Sequence, residues 1–175
     1  MLQKSNILEP FFQEPTKQHY LMEISRKAKL AHTSVKKRLK QLMKEGLITE
    51  IIEQKGKRKF PIYLANINSP EFKEKKKQYN LQKIIDSGII KYLEEKLTPK
   101  SMVLFGSYQR GEDIEGSDID LFIECKQEKT DLKQHEAKLK RKIQLHFKEN
   151  FKTYPAELKN NIINGTIIKG YLEAY

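Results

Sequence analysis

The stretch VLFGSYQRGEDIEGSDIDLFIE, residues 103–124, places two carboxylates inside a predicted buried strand. Asp118 and Asp120 lie within an apolar run, and the alternation of a strand puts both side chains on one face. Ile119 and Leu121 then point to the opposite face, into a core. The two Cα atoms are about 6.6 Å apart at the usual strand rise, so the ionised groups repel each other. A hard divalent cation such as Mg²⁺ would relieve this repulsion, because it prefers carboxylate oxygens.

A glycine and a serine, Gly106 and Ser107, precede this pair at the end of a first predicted strand, SMVLF. Glycine at a strand end lets a ligand approach the backbone closely. Backbone N–H groups and the Ser107 hydroxyl can then hold phosphate oxygens. A phosphate cradle beside two carboxylates meets the needs of attack on a nucleotide α-phosphate, which are charge neutralisation and in-line positioning.

The order of these residues resembles the signature of the DNA polymerase β-like nucleotidyltransferase superfamily: Gly-Ser after an apolar residue, a spacer of ten residues, then Asp-apolar-Asp-apolar. Arg-Gly soon after Gly-Ser, and Ser before the first Asp, are typical of the minimal nucleotidyltransferases. The resemblance is tight over residues 102–124 and looser over about 85–175. It implies that Gly106 and Ser107 hold the triphosphate of an NTP. It also implies that the two aspartates are catalytic and bind Mg²⁺ or Mn²⁺.

Arg110 has two interpretations. It lies three residues after Ser107, where its guanidinium could bind phosphate. It could instead brace the loop by pairing with Glu112, Asp113 or Glu115.

The next predicted strand departs from the superfamily pattern. Active members carry a third carboxylate there, but in KIQLHFKE the acidic position holds Gln144 or His146, and Glu149 lies beyond. Two functions therefore compete. One is a Mg-dependent nucleotidyltransferase that moves NMP from NTP to an acceptor hydroxyl on a protein, an RNA or a small molecule. The other is a DNA-binding regulator, or an antitoxin-like protein with a toxin-like partner, that binds nucleotide or partner without turnover.

Positive charge is concentrated in the first half of the chain. Residues 1–80 hold 18 Lys and Arg against 8 Asp and Glu, whereas residues 81–175 hold 16 against 15. Such asymmetry indicates that the first half meets a polyanion such as nucleic acid.

The same half has the pattern of two helices and a hairpin. HYLMEISRKAKLAHTSVKKRLKQLMKEGLI predicts two helices joined by a tight turn, and two β-rich runs then flank the basic turn KGKR. This order resembles the winged helix-turn-helix family of DNA-binding domains over roughly residues 5–67. The resemblance implies that the second helix enters the major groove of duplex DNA and that the hairpin is the wing. The implied DNA-binding residues are Thr33, Ser34, Lys36, Lys37 and Lys40 in the helix and Lys55, Lys57, Arg58 and Lys59 in the wing. A winged helix used for protein contact or dimerisation is the alternative.

The expected fold class is α+β. It comprises a winged helix-turn-helix domain over 1–68, a helical connector over 69–100, and a nucleotidyltransferase-like mixed sheet flanked by helices over 101–175. In the connector, Ser69-Pro70-Glu71 predicts a helix start and Gly88 a break. Its apolar stripe could pack in a core, bridge the domains or form a homodimer seam.

The sequence lacks three features that would indicate a membrane or secreted protein. No run of about 18 apolar residues is found, which argues against a membrane partner. The first residues lack the layout of a signal peptide. The single cysteine, Cys125, excludes an internal disulfide framework and a cysteine-based zinc cluster. Together these features favour a cytoplasmic location.

Overall fold

The chain folds into two compact units, the first ending at Lys76 and the second beginning at Lys77. The computed structural model describes residues 7–173, apart from the side chain of Lys55. The elements before the division are α1 (Glu9–Gln13), β1 (His19–Tyr20), α2 (Leu21–Ala28), α3 (His32–Lys44), β2 (Ile48–Lys55) and β3 (Arg58–Ala65). The division falls inside α4 (Pro70–Ser87). The elements that follow are α5 (Ile89–Leu97), β4 (Met102–Phe105), α6 (Gly106–Arg110), β5 (Ile119–Ile123), α7 (Lys133–Leu139), β6 (Ile143–Phe147), α8 (Ala156–Ile163) and β7 (Thr166–Lys169). This mixture of helices and sheets agrees with the expected α+β class.

The first unit packs α2 against α3 beside a small antiparallel sheet with strand order β1-β3-β2. The apolar stripe of α3 is buried at Val35, Leu39 and Leu42, while the residues between them are exposed. The chain leaves α3 through Gly46 at φ +69°, a left-handed conformation that suits glycine. In the sheet, Lys55 pairs with Arg58, so β2 and β3 are joined by a two-residue turn.

The second unit is built on a mixed sheet with strand order β6-β5-β4-β7. Strand β4 is antiparallel to both β5 and β7, whereas β5 and β6 are parallel. Parallel neighbours need a crossover connection, and the segment that contains α7 supplies it.

Both faces of this sheet carry a core, which explains why β4 is apolar at every position. Met102 and Leu104 belong to a cluster on one face, together with Leu93 and Leu121. Side chains of the opposite face form a second cluster, which comprises Val103, Phe105, Phe122, Phe151 and Ile162. The predicted orientation of Ile119 and Leu121 is confirmed, because both are buried in the first cluster.

The connector begins and breaks where the sequence predicts. Helix α4 begins at Pro70, and the hydroxyl of Ser69 accepts a hydrogen bond from the Phe72 N–H at 3.3 Å. Gly88, at φ +77°, separates α4 from α5. No helix within residues 7–173 is long and apolar enough to span a bilayer.

Candidate active site and basic surface

The predicted site residues of the second unit meet at one end of its sheet. Phe105, the last residue of β4, pairs with Asp120 near the start of β5, and Asp120 pairs with Gln144 near the start of β6. Asp118 lies directly before β5. Asp120 retains 25% side-chain exposure in a unit where its strand neighbours are buried, so its carboxylate is reachable from solvent.

Gly106 lies against the carboxylate of Asp120. Its φ of +77° is a left-handed conformation, and a Cβ added there would come within 2.5 Å of Asp120 Oδ2. Two independent constraints therefore require glycine at this position, the backbone conformation and the space taken by the carboxylate. The missing side chain is what lets the backbone at the start of α6 approach the acidic group.

Two side chains of β6 contact the carboxylate pair. The Gln144 amide Nε2 donates a hydrogen bond to Asp118 Oδ2. The His146 Nε2 lies 3.0 Å from Asp120 Oδ1, and the imidazole packs edge-on against Phe105 at 5.0 Å between ring centroids. These contacts use one oxygen of each carboxylate. The two positions of β6 that face the carboxylates therefore hold an amide, Gln144, and an imidazole, His146, and neither holds an acid.

Glu149 is not part of this arrangement. Strands β5 and β6 are parallel, and Ile123 pairs with Phe147 at the end of the sheet remote from Asp118. Glu149 follows that end and lines a cavity with Cys125 and Phe147. Glu149 therefore lies at the opposite end of the sheet from the carboxylate pair and does not supply the missing third acid.

In this structure Arg110 makes the loop contact, one of the two interactions expected for it. The Arg110 Nε donates to Glu112 Oε2 at 2.8 Å, on the exposed side of α6. Ser107, in the first turn of α6, is partly exposed next to Gly106. Arg110 here braces the loop, and its exposed guanidinium stays within reach of solvent.

A buried polar cluster next to α6 was not predicted from the sequence, and it joins Asn80, Asp113 and Arg141. Asn80 Nδ2 donates to the Tyr108 carbonyl oxygen at 2.8 Å and to Asp113 Oδ1 at 2.7 Å. Asp113 is almost fully buried, and Arg141 approaches its other oxygen at 3.7 Å. Burial, together with the Asp113 charge, raises the pKa of Tyr108. Asn80 lies four residues before Ile84 on the buried side of α4, and a polar residue at this spacing is a sequence signal that could have indicated the cluster.

The family comparison agrees with this geometry. Residues 86–169 match a family model described as Nucleotidyltransferase domain. Over this segment the second unit is similar to nucleotidyltransferase domains. Nucleotidyltransferase domains generally use an NTP and a divalent metal, and the matched segment contains the carboxylate pair, Gly106 and Ser107. Searches of curated proteins and of solved structures returned no match.

A second cluster of acidic groups lies in the first unit, far along the chain from the nucleotidyltransferase-like segment. Among residues 7–173, Glu14, His19 and Glu23 form the one set of three potential metal-ligating side chains with ligand atoms within 4.8 Å of one another. Lys17 and Lys27 each pair with both glutamates at 2.6–3.1 Å. Because two ammonium groups already neutralise the two carboxylates, the cluster is a charge network rather than an open cation site.

The residues predicted to bind DNA lie on the surface of the first unit. Thr33, Ser34, Lys36, Lys37 and Lys40 are all exposed on α3. In the hairpin, Lys57, Arg58 and Lys59 are exposed at and beside the two-residue turn. The side chain of Lys55 lies outside the described residues.

Proposed function

We propose that the protein is a Mg-dependent nucleotidyltransferase that moves NMP from an NTP to an acceptor hydroxyl and binds DNA through its first unit. The observation that carries the catalytic part is the contact between Gly106 and Asp120 inside the matched nucleotidyltransferase domain. A residue with a side chain at position 106 would collide with the carboxylate, so the sequence keeps the backbone and the acidic group close together.

The donor set fits one Mg²⁺. Asp118 Oδ1 and Asp120 Oδ2 are not used by Gln144 and His146, which contact the other oxygen of each carboxylate. Carboxylate oxygens are the ligands Mg²⁺ prefers, and its remaining positions usually go to water and substrate phosphate. When bound, Mg²⁺ would neutralise charge on the triphosphate and on the departing pyrophosphate.

The other residues of the site have distinct roles in this proposal. Backbone N–H groups at Gly106 and the Ser107 hydroxyl bind phosphate oxygens, because no side chain intervenes at position 106. Arg110 donates a hydrogen bond to Glu112 through its Nε, so its two terminal nitrogens could donate to a phosphate oxygen. A cytoplasmic location, where NTPs are available, belongs to the same proposal.

A second candidate function has its own supporting observation. Strand β6 carries Gln144 and His146 where active members of the resembled superfamily have an acid, and both side chains already contact the aspartates. A site of this kind could hold Mg–NTP, or a toxin-like protein partner, without turnover. The protein would then be a DNA-binding regulator or an antitoxin-like protein.

The DNA-binding part rests on the first unit. We infer that α2 and α3, joined by a short turn, and the hairpin of β2 and β3 form a winged helix-turn-helix. Its support is the exposed basic face of α3, opposite the buried stripe of Val35 and Leu39, and the tight basic turn after Lys55. Helix residues would contact base edges, and hairpin residues would contact phosphate.

The test of the catalytic part combines binding with turnover. Full-length protein is melted with and without millimolar NTP and Mg²⁺, and is then incubated with each α-³²P-labelled NTP and a cell lysate. Binding to the folded state raises the melting temperature by mass action. Asp120→Asn should abolish that rise, whereas Asp86→Asn, which removes an exposed carboxylate on α4, should keep it.

The outcomes separate the two functions. Label transferred by the wild type and lost in Asp120→Asn supports the enzyme. A melting shift without any labelled acceptor supports the binding protein. No shift with any NTP contradicts the enzyme and the nucleotide-binding form of the second function, and it leaves only the form that binds a protein partner.

A further inference from the structure

A cavity in the first unit lies between the exposed side of α2 and the start of α3. Its volume is about 730 Å³, within the range of ligand sites. Met22, Arg26 and Lys29 line it from α2 and the residue that ends α2. Leu30, in the turn, and His32, the first residue of α3, line the other side. None of these residues is among those proposed to bind DNA, so the function proposed above leaves the cavity without a role.

A buried hydroxyl in the wall of this cavity has no partner within the described part of the chain. Ser25 lines the cavity and is only 4% exposed, and its Oγ makes no hydrogen bond to any described residue. Buried polar groups are nearly always hydrogen-bonded, because an unpaired one costs stability. The Ser25 hydroxyl therefore indicates a polar group that a ligand supplies.

Positive charge dominates the lining of the cavity. Arg26 and Lys29 are exposed, and neither has an ion-pair partner among the described residues. Glu23 is the one carboxylate that lines the cavity in the described part of the chain, and Lys17 and Lys27 pair with it at 3.0 and 3.1 Å. Two cations are therefore available to an anionic ligand, and the nearby carboxylate is already neutralised.

The start of α3 also attracts an anion to this place. The first N–H groups of a helix have no acceptor within it, and Ala31, the residue before α3, supplies no side-chain cap. These N–H groups lie at the positive end of the helix dipole and favour a negative group. Met22 and Leu30 give the same cavity an apolar part, and Met22 is 71% exposed. A ligand that fits both parts has an anionic head and an apolar body.

We propose that this cavity binds a small anion with an apolar body, a carboxylate or a phosphate ester, and that the bound anion keeps DNA off the start of α3. A small ligand can enter the cavity as far as Ser25, whereas a phosphate of duplex DNA is held at the surface and has no apolar part. The second half of the inference rests on the DNA binding proposed above, because α3 begins at His32 on the edge of the cavity. The first unit then releases DNA as the ligand accumulates.

The binding test uses full-length protein and 8-anilinonaphthalene-1-sulfonate, a fluorescent probe with one anionic group and an apolar ring system. N-phenyl-1-naphthylamine is the same molecule without the sulfonate, and it should bind about tenfold more weakly because it cannot pair with the cations. Inorganic phosphate, which has no apolar body, should compete poorly. Displacement of the probe by octanoate or by phenyl phosphate distinguishes a carboxylate head from a phosphate ester. If neither displaces it, the proposed ligand class is wrong.

Lys29→Gly locates the site, and Lys140→Gly is its matched control. Lys29 has a left-handed backbone at φ +53°, and Lys140, which ends α7, has φ +54°. Glycine suits this conformation, so both variants remove one exposed ammonium group without a cost in backbone strain. Lys29→Gly should weaken binding of the probe about tenfold, whereas Lys140→Gly should bind it like the wild type. Equal affinities in all three proteins, or an equal loss in both variants, would overturn the assignment of the cavity.

Gel shifts with duplex DNA, with and without saturating probe, test the second half and separate it from the proposed function. The probe should weaken the complex of the wild type and that of Lys140→Gly. An unchanged complex in the presence of bound probe would overturn the exclusion of DNA. A loss of DNA binding in Lys29→Gly without any change in probe binding would make the cavity a DNA contact instead. A protein that binds DNA but no probe contradicts the cavity assignment alone. A protein that binds the probe but no DNA supports the ligand site and contradicts the proposed DNA binding, together with the half that rests on it.

Discussion

A Cβ atom on Gly106 would lie 2.5 Å from Oδ2 of Asp120, closer than non-bonded atoms approach. Gly106 directly follows β4, and Asp120 belongs to β5. Their contact brings the backbone at the start of α6 next to a carboxylate that is partly exposed to solvent. It also makes Gly106 a sensitive position for separating backbone strain from the geometry of the site.

Gly106→Ala should destabilise the second unit and abolish the melting shift with Mg–NTP. The left-handed conformation alone costs about 1–2 kcal/mol for a residue with a Cβ, and the collision with Asp120 adds to it. Gly88→Ala is the matched control, since Gly88 has the same φ of +77° but no atom within 4 Å of the added Cβ. The control should show the strain in chemical unfolding yet keep the nucleotide shift. Equal behaviour of the two variants would show that the contact with Asp120 has no role in binding.

Gln144→Glu should make stability depend on Mg²⁺ more strongly than in the wild type. The substitution replaces a hydrogen-bond donor to Asp118 with a carboxylate, so it should cost about 1 kcal/mol without metal through repulsion and the lost hydrogen bond. Mg²⁺ should recover that loss, because a third carboxylate is a further ligand. The measurement is the melting temperature in EDTA and in millimolar Mg²⁺. Gln144→Ala, which loses the hydrogen bond without adding charge, should not gain the Mg²⁺ response; if it does, the effect does not come from a new ligand.

Acid should destabilise the first unit through His19 as the pH falls below about 6.5. The ring is fully buried, its Nε2 lies 3.0 Å from the Glu14 carbonyl oxygen, and its Nδ1 has no hydrogen-bond partner among the described residues. Burial lowers the pKa of His19. The unfolded chain, with a histidine pKa of about 6.5, therefore takes up the proton first, and stability present above that pH is lost as the pH falls.

Urea unfolding followed by circular dichroism at pH 7.5 and 5.5 measures this dependence. Hydrogen bonds from Lys27 and Lys17 hold the pKa of Glu14 below its ordinary value, so this carboxylate titrates below the interval from pH 7.5 to pH 5.5. His19→Phe should flatten the pH dependence, whatever its effect at pH 7.5. His32→Gln, at an exposed histidine, should leave the dependence intact. An unchanged slope in His19→Phe would assign the acid sensitivity to other groups.

Duplex DNA should bind with a steep dependence on salt. Each lost phosphate contact should reduce the slope of log K against log salt by about 0.9. The wing variant Lys57→Ala/Arg58→Ala/Lys59→Ala should therefore bind more weakly and with a shallower slope. Lys91→Ala/Lys96→Ala/Lys126→Ala removes the same charge from exposed positions of the second unit and should keep the slope.

The helix residues should behave differently from the wing. Lys36→Ala or Lys40→Ala should alter sequence preference, because a helix in the major groove reads base edges. A gel shift that detects no complex at about 50 mM salt would contradict the DNA-binding proposal and leave the first unit as a protein-contact domain.

The residues of the candidate site that lie close together in the sequence could be predicted from it. Strand alternation alone put Asp118 and Asp120 on the face opposite Ile119 and Leu121, and the burial of the latter two agrees. Such patterns depend on a few consecutive residues, whose side-chain directions follow from the local backbone. The break at Gly88 and the start of α4 are local features of the same kind.

What only the tertiary structure decided is which distant segments meet. The parallel pairing of β5 with β6, in the register Asp120 to Gln144, brings Gln144 and His146 to the carboxylates and leaves Glu149 at the other end of the sheet. The alternation of β6 fixes which of its side chains share a face. A shift of two residues would keep that face but move Gln144 and His146 along the sheet relative to the carboxylates, and neither strand's own sequence excludes it. In the same way, Asn80 and Asp113 lie 33 residues apart and become partners because burial leaves neither group any water to bind.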